Sequence, residues 1–389
     1  MEKLLAVIGI VLIMGTCYLL SSDRKTINWK SVGLAFLAQI ALAVLMIKTP
    51  LWKVVEWVAG GFSWLLAQST EGINFVFGGL SDNVVFFINS LLPIVYISAI
   101  MGLLFHFGII QKFIKVIGLG IAKIFNIDTI VAVNAVTNMF LGQTESLFIT
   151  KSYLPTAKDS VIFATLVAGM SSISVSVMGL YTGYGASMEW IVVSIPLTVF
   201  STFVLTQIVM PTEYEAVDDL VVENDKGNNF LDTMMNYANA GFRSVIGISV
   251  ALMVFISFVY MLNNLLGFVA PWLTVEKILG IIFYPISLLM GVPTGELGVV
   301  SELLATRLAL NEAVAYGMPQ FASLSVNAKA MLTVALCGFA GFGSVGILIG
   351  GYSAIAPDKA GLVAKLGMKA LVIATFVNIL TGAIVGILI

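Results

Sequence analysis

Long apolar stretches separated by short polar segments run through the whole chain. Each is close to the roughly 17–25 residues that an α-helix needs to cross a bilayer. The clear stretches are residues 4–20, 31–47, 88–107, 160–180, 187–210, 245–270, 325–352 and 362–387. This pattern predicts an all-α polytopic membrane protein with about eight transmembrane helices.

Two further apolar regions, residues 125–158 and 278–320, carry polar residues and glycines at their centres. Irregular backbone at membrane depth is tolerated only where protein buries it or water reaches it. We therefore expect two re-entrant helical hairpins that line a cavity. Each region is followed by a span interrupted by small residues, at 169–176 and at 338–346.

The order of hairpin, broken span and closing span occurs twice, and threading gives the two hairpins opposite orientations. The first would enter from the cytoplasm and the second from outside. Interrupted segments at matching places in an inverted repeat point to the binding site of a transporter. The expected parts are N-terminal spans with an interfacial helix (1–110), a first hairpin repeat (111–210), a cytoplasmic acidic linker with an amphipathic helix (211–244) and a second hairpin repeat (245–389).

Basic residues in the loops predict the orientation. Arg24, Lys25 and Lys30 follow the first apolar stretch, which would place that loop in the cytoplasm and the N-terminus outside. The first stretch lacks a small-residue cleavage site, so we expect a retained span rather than a signal peptide. The segment 49–80 is rich in tryptophan, which is typical of the membrane interface.

Composition excludes most other classes of protein. The chain is 59% apolar and only 10% charged, whereas soluble domains carry about 25% charged residues. A net charge of −2 does not fit the basic surface of a nucleic-acid binder. Cys17 and Cys337 lie far apart in apolar sequence and His106 is the only histidine, so no disulfide framework or histidine-based metal cluster is expected.

The carboxylates inside apolar sequence are the candidate functional groups. A charge at the bilayer centre costs about 3 kcal/mol on insertion scales. Glu145 and Glu312 occupy matching places in the two repeats, where they could bond substrate or couple a cation. The alternative is a helix cap or an interior ion pair, for instance with Arg307. Glu296 and Glu302 could equally sit at a hairpin end or face water.

A glycine motif at 341–346 matches G-x-G-x-x-G. The dinucleotide fingerprint requires a preceding strand and a βαβ unit, and here a membrane-length apolar stretch precedes it. We interpret these glycines as sites of helix breakage or close backbone approach. A channel or an intramembrane enzyme stays open as an alternative class, although the sequence offers discrete hairpin turns rather than a continuous polar pore.

Several motifs together resemble the signatures of concentrative nucleoside transporters, in particular of bacterial members. They are Glu71-Gly72-Ile73-Asn74-Phe75, Gly142-Gln143-Thr144-Glu145, Asn311-Glu312-Ala313-Val314-Ala315-Tyr316 and Cys337-Gly338-Phe339-Ala340. The resemblance covers the chain in order and at matching spacing. It implies a homotrimer in the cell membrane that imports nucleosides together with Na⁺ or H⁺, with no other cofactor and no nucleic-acid partner.

The resemblance also implies roles for individual residues. Gln143, Thr144 and Glu145 would contact the nucleobase, Val177 and Phe339 would pack near it, and Glu312 and Ser344 would contact the ribose. Asn138 and Ser172 would bind Na⁺ through side chains, with the carbonyls of Leu141 and Ile173 completing that site.

This chain departs from the family pattern at two places. Gly341 stands where the family has an asparagine that bonds the ribose, and Thr294 follows Pro293 where many members have a tryptophan. A lost bond to a buried sugar hydroxyl is worth roughly 1 kcal/mol. The sequence therefore leaves open a related solute, such as a nucleobase or a modified nucleoside.

Overall fold

The computed structural model describes residues 1–80, 85–215, 217 and 227–389. Within these ranges the regular structure is helical, and seven helices are long and apolar enough to cross a membrane. They are Glu2–Leu19, Trp29–Lys48, Phe87–His106, Asp159–Gly183, Met188–Val209, Phe230–Gly267 and Pro357–Leu388. The prediction of an all-α polytopic membrane protein is confirmed.

The N-terminal part consists of four helices, α1 (Glu2–Leu19), α2 (Trp29–Lys48), α3 (Trp52–Phe77) and α4 (Pro93–His106). Helix α2 begins where the side chain of Asn28 accepts a hydrogen bond from the Ser31 amide. Within α2, buried Gln39 donates to the Leu197 carbonyl at 3.2 Å, which fixes α2 against a later span. Helix α3 leaves large side chains exposed, among them Trp57, Trp64 and Phe75.

The first repeat contains α5 (Ile109–Phe125), α6 (Thr129–Thr137), α7 (Glu145–Ile149), α8 (Asp159–Ser171), α9 (Met178–Gly183) and α10 (Met188–Val209). Asn126 adopts a left-handed conformation with φ of 53° and ends α5. The Asp128 side chain then caps α6 by accepting from the Ile130 and Val131 amides. The hairpin predicted at 125–158 is formed by α6 and α7, and the non-helical residues 138–144 are its tip.

The second repeat contains α12 (Val275–Leu289), α13 (Leu297–Ala309), α14 (Glu312–Gly317), α15 (Pro319–Ala322), α16 (Val326–Leu336), α17 (Phe342–Ile355) and α18 (Ala360–Leu388). The region predicted as one hairpin at 278–320 has two breaks. Gly291, with φ of +83°, turns the chain between α12 and α13. Leu310 and Asn311 form the tip between α13 and α14. The span predicted at 325–352 is two short helices, α16 and α17, as its small residues indicated.

The helix α11 (Phe230–Gly267) precedes the second repeat. The sequence pattern divided it at residue 244 into an amphipathic piece and a span, but the structure has one helix of 38 residues. Glycines allow α4 to pack closely along it, because a Cβ at Gly102 would lie 2.7 Å from Tyr237 and one at Gly241 would lie 2.5 Å from Ser98. Most of the acidic linker, including Asp218, Asp219, Glu223 and Asp225, lies outside the described residues.

Candidate functional site

The two helix breaks lie against each other at the centre of the molecule. The Phe339 amide donates to the Ser172 carbonyl at 3.2 Å. Close approach requires a glycine here, since a Cβ at Gly338 would lie 2.4 Å from the Asn378 Oδ1 and 2.6 Å from the Ser171 oxygen. The small residues that interrupt each span therefore let the two unwound segments hydrogen bond to one another.

The tip of the first hairpin reaches the second break. Gln143 Nε2 lies 3.4 Å from Ser344 Oγ, and both side chains are buried. The Ser344 hydroxyl in turn donates to the Phe339 carbonyl. A Cβ at Gly169 would lie 3.2 Å from the Gln143 Cβ, so the tip also rests on the last turns of α8. Gln143 Oε1 is buried and has no partner among the described residues, which leaves an amide acceptor available to a ligand.

Thr144 and Glu145 follow at the same tip. Thr144 packs on α17, where a Cβ at Gly351 would lie 3.0 Å from its methyl carbon. Glu145 is exposed to a cavity of about 570 Å³ that is lined by the hairpin, α4 and α11. Ser244 of α11 lines the same cavity, and its hydroxyl donates to the Ala240 carbonyl of its own helix at 3.1 Å. Polar and basic groups also line this cavity, among them Ser98, Lys151, Ser174, Ser176, Asn236 and Arg243.

Glu312 sits at the other tip in a closed environment. It is 8% exposed and accepts a hydrogen bond from Tyr181 Oη at 3.0 Å. Tyr181 belongs to α9 of the first repeat and stacks on Tyr316, with 4.7 Å between ring centroids. The Asn311 side chain accepts from the Val314 amide and starts α14. The second hairpin is thus held by an aromatic pair that joins the two repeats.

Arg307 does not serve as the direct hydrogen-bonding partner of Glu312 in the described part of the chain. Its Nη1 donates to the Ala335 carbonyl at 2.6 Å and to the Asn378 Oδ1 at 2.9 Å. The structure therefore has no direct hydrogen bond between Arg307 and Glu312 within its described residues. Glu312 instead accepts from the Tyr181 hydroxyl, and Arg307 donates to the Asn378 amide oxygen.

The four residues expected to hold a cation are all buried. Asn138 donates to the Asn134 carbonyl and side chain at 3.0 Å, while its own Oδ1 has no partner among the described residues. Ser172 donates to the Ala168 carbonyl at 2.8 Å. Leu141 lies on the hairpin tip and Ile173 in the first break. A buried, unpartnered carboxamide oxygen is the type of hard ligand that a small cation takes.

The remaining predicted residues have simpler surroundings. Val177 is buried in the short turn after the first break. The Glu296 carboxylate accepts from the Ser325 amide at 2.6 Å and hydroxyl at 2.7 Å, and Ser325 is the N-cap of α16. Glu302 is half-buried on α13. His106 contacts the Thr233 hydroxyl at 2.9 Å through Nδ1, which is a packing role.

Two residues of the site were missed in the sequence. Tyr181 gave no signal, because a tyrosine near the end of an apolar span is unremarkable in composition. Asn378 did carry a signal, since it is an amide in the middle of the last apolar stretch. The reasoning that singled out Glu145 and Glu312 would have found it as well.

Residues 190–386 match the family model described as Na⁺ dependent nucleoside transporter C-terminus, and residues 8–80 match the corresponding N-terminus model. An uncharacterized transporter of Haemophilus influenzae is 32% identical over 412 residues, covering 100% of this chain and 98% of the relative. Nucleoside permease NupC of Helicobacter pylori is 29% identical over 410 residues, with 100% and 98% covered.

Solved structures agree with these matches. The structure of CNTnw in an inward-facing substrate-bound state has a TM-score of 0.94 at 30% identity, covering 100% of this chain and 98% of that chain. A CNTnw variant in an outward-facing state has a TM-score of 0.92 at 29% identity, with 100% and 99% covered.

These matches define the class as a multi-pass membrane transporter, not an enzyme. Within that class, the chain belongs to the concentrative nucleoside transporter family.

Proposed function

We propose that this protein is a symporter that imports nucleosides with Na⁺ by alternating access. The observation that carries the proposal is the contact between Gln143 at the first hairpin tip and Ser344 beside the second helix break. This contact brings polar groups of both repeats together beside the two hydrogen-bonded helix breaks. A transporter built from such repeats holds its substrate at this kind of place.

The substrate groups follow from the chemistry of the side chains. Gln143, Thr144 and Glu145 offer amide, hydroxyl and carboxylate partners for the polar edge of a nucleobase. Val177 and Phe339 supply apolar contact area for its ring. Glu312 would be an acceptor for ribose hydroxyls, oriented by Tyr181, and the Ser344 hydroxyl would be a second ribose contact.

The proposed coupling cation is Na⁺, bound by Asn138 and Ser172 side chains and by the carbonyls of Leu141 and Ile173. The unpartnered Asn138 Oδ1 and the match to a Na⁺ dependent family model support sodium over a proton. One elementary charge crossing 100 mV supplies about 2.3 kcal/mol, which can sustain a gradient of approximately 50-fold.

The membrane arrangement belongs to the same proposal. The hairpins at 129–149 and 297–317 would be re-entrant from opposite sides, the N-terminus would lie outside, and the protein would form a homotrimer in the cell membrane. Basic Lys151 and Arg243 line the cavity beside Glu145, which supports a cytoplasmic opening there.

A related solute, such as a nucleobase or a modified nucleoside, remains the second candidate because of Gly341. A Cβ at this position would lie 3.0 Å from the Arg307 carbonyl oxygen and 3.3 Å from that of Leu310. The end of α13 therefore occupies the space next to the glycine, and the asparagine of other family members would not fit without movement of the second hairpin. One side-chain contact to the sugar is absent in this chain.

Uptake of labelled uridine and adenosine into proteoliposomes under an inward Na⁺ gradient tests the proposal. We expect saturable uptake. Unlabelled ribosides should compete with the labelled nucleoside, and free bases should not. Competition by bases alone would favour the second candidate. Linear, non-saturable flux would indicate a channel and contradict the proposal.

A further inference from the structure

Asn378 is a completely buried amide that contacts three separate parts of the site. Its Oδ1 accepts from Arg307 Nη1 at 2.9 Å. Its Nδ2 donates to the Ser171 carbonyl at 2.6 Å and to the Cys337 carbonyl at 3.3 Å. One side chain on α18 therefore links the second hairpin to the ends of both α8 and α16, where these helices break.

Arg307 connects the Asn378 side chain to the hairpin that carries Glu312, the proposed ribose contact. It lies near the end of α13, five positions before Glu312 in the same hairpin. The guanidinium is 0% exposed, and besides Asn378 it bonds the Ala335 carbonyl of α16 at 2.6 Å. Its Nε and Nη2 have no partner among the described residues.

A buried, partly unsatisfied charge is costly for stability, so packing alone does not account for Arg307. Such violations of polar satisfaction concentrate at functional sites. Arg307 also acts electrostatically on the nearby Glu312 carboxylate. The Arg307 guanidinium and the proposed ribose acceptor on Glu312 thus lie on the same hairpin, one on each side of its tip.

The Nδ2 of Asn378 leads to the proposed cation site. Ser171 is the last residue of α8, and its carbonyl is held by Asn378. The next two residues, Ser172 and Ile173, are proposed cation ligands. A shift of the Asn378 side chain would therefore reorient the backbone that carries these ligands.

We propose that Arg307 and Asn378 are positioning residues that couple nucleoside binding at Glu312 to cation binding at the first helix break. This inference rests on the proposed symport function. When the nucleoside fixes the second hairpin, Arg307 holds Asn378 in place, and Asn378 holds the break in the geometry that binds the cation. Coupling between two sites is reciprocal, so the cation must raise nucleoside affinity by the same factor.

Direct binding measurements on the purified protein test the coupling. Nucleoside affinity is measured calorimetrically with Na⁺ and with choline in its place. The wild type should bind more tightly in Na⁺ by a factor within the roughly 5–150-fold range of site coupling. In Asn378→Asp the acceptor for Arg307 is kept and the donor to both breaks is lost, so the Na⁺ effect should fall below about 2-fold.

Thr375→Val is the matched control. Thr375 lies one turn earlier on α18, is buried, and donates to the Leu371 carbonyl of its own helix. It should keep the wild-type Na⁺ effect. A structural role for Asn378 would weaken binding equally in both salts, and an unchanged ratio in Asn378→Asp would overturn the inference. A wild type with no Na⁺ effect at all would instead contradict the sodium coupling in the proposed function.

A measurement on the wild type alone covers the case in which Asn378→Asp does not fold. Hydrogen exchange is followed by mass spectrometry with Na⁺ alone and with nucleoside alone. We expect Na⁺ alone to protect the segment 337–341, and nucleoside alone to protect 171–174. The inference would be overturned if Na⁺ alone protected only its proposed ligands near 171–174 and nucleoside alone protected only its proposed contacts near 337–341.

Discussion

Glu145 and Glu312 occupy matching positions at the tips of two hairpins, yet their surroundings differ completely. Glu312 is buried and held by Tyr181. Glu145 is exposed to a cavity of about 570 Å³ whose lining includes the basic side chains of Lys151 and Arg243. The two matching glutamates thus lie in one closed and one open environment, which we call the two proposed half-sites.

The cavities between each hairpin and α11 also differ in the polarity of their lining side chains. Beside the first hairpin, the cavity includes Lys151, Asn236 and Arg243. Beside the second hairpin, a larger cavity of about 1070 Å³ is lined mainly by apolar side chains such as Phe86, Phe87 and Val314. Basic and amide side chains therefore line the space beside the first hairpin, while the space beside the second hairpin is lined mainly by apolar side chains. Under the proposed alternating-access function, this asymmetry would correspond to one of two opposite states.

The largest expected effect comes from Glu312→Gln. Hydrogen bonds to charged groups contribute about 1.5–3 kcal/mol, so loss of the carboxylate should lower nucleoside uptake by roughly 10- to 150-fold. Initial uptake rates in proteoliposomes measure this. Glu71→Gln makes the same chemical change on the exposed surface of α3 and should leave uptake unchanged. Undiminished uptake in Glu312→Gln would remove this residue from the site.

Glu145→Gln should have a smaller effect on uptake. Its side chain is exposed to the cavity, so we expect water to replace part of each lost contact. We expect the KM for nucleoside to rise about 10-fold, equivalent to about 1.4 kcal/mol, with normal protein yield. If Glu145→Gln proves as severe as Glu312→Gln, the contrast between an open and a closed half-site is wrong.

Tyr181→Phe removes one neutral donor and keeps the ring that stacks on Tyr316. The hydroxyl bonds the Glu312 carboxylate rather than the nucleoside, so we expect the effect on binding to be indirect and smaller, about 1 kcal/mol. This corresponds to a roughly 5-fold rise in KM, measured as above. Tyr184→Phe provides a comparison, since its ring stacks on Phe86 outside the two tips. Equal effects in both variants would argue against a specific role for the Tyr181 hydroxyl.

The smallest effect is expected at the pair of Lys158 and Glu215, which ties the start of α8 to the segment after α10. The Glu215 carboxylate raises the pKa of the Lys158 ammonium by accepting its hydrogen bond. A raised lysine pKa stabilises the fold at all lower pH and loses this effect only as pH rises through that pKa. Because both side chains are more than half exposed, Glu215→Gln should not measurably shift Tm at neutral pH. A clear fall in Tm would show that this surface pair matters more than expected.

The sequence was sufficient for the helical class, the two broken spans and the hairpin tips, because each depends on polar or small residues interrupting apolar runs. It placed the division of α11 wrongly, since an amphipathic segment and an apolar span look different in composition but continue as one helix when no residue breaks the backbone. The sequence pattern also predicted α12 and the second hairpin as one region, because the polar and glycine residues around Gly291 and around Asn311 are both typical of a hairpin tip. The bonds from Tyr181 and Asn378 depend on which helices pack together, and local patterns do not carry that information.

The most direct test of the account is uptake of labelled nucleoside into proteoliposomes with Na⁺ and H⁺ gradients imposed separately. We predict saturable accumulation above equilibrium with an inward Na⁺ gradient, and no accumulation with a pH gradient alone. Accumulation that follows the pH gradient and ignores Na⁺ would contradict the sodium site at Asn138. Failure to accumulate any nucleoside under either gradient would contradict the central claim that this protein is a cation-coupled nucleoside symporter.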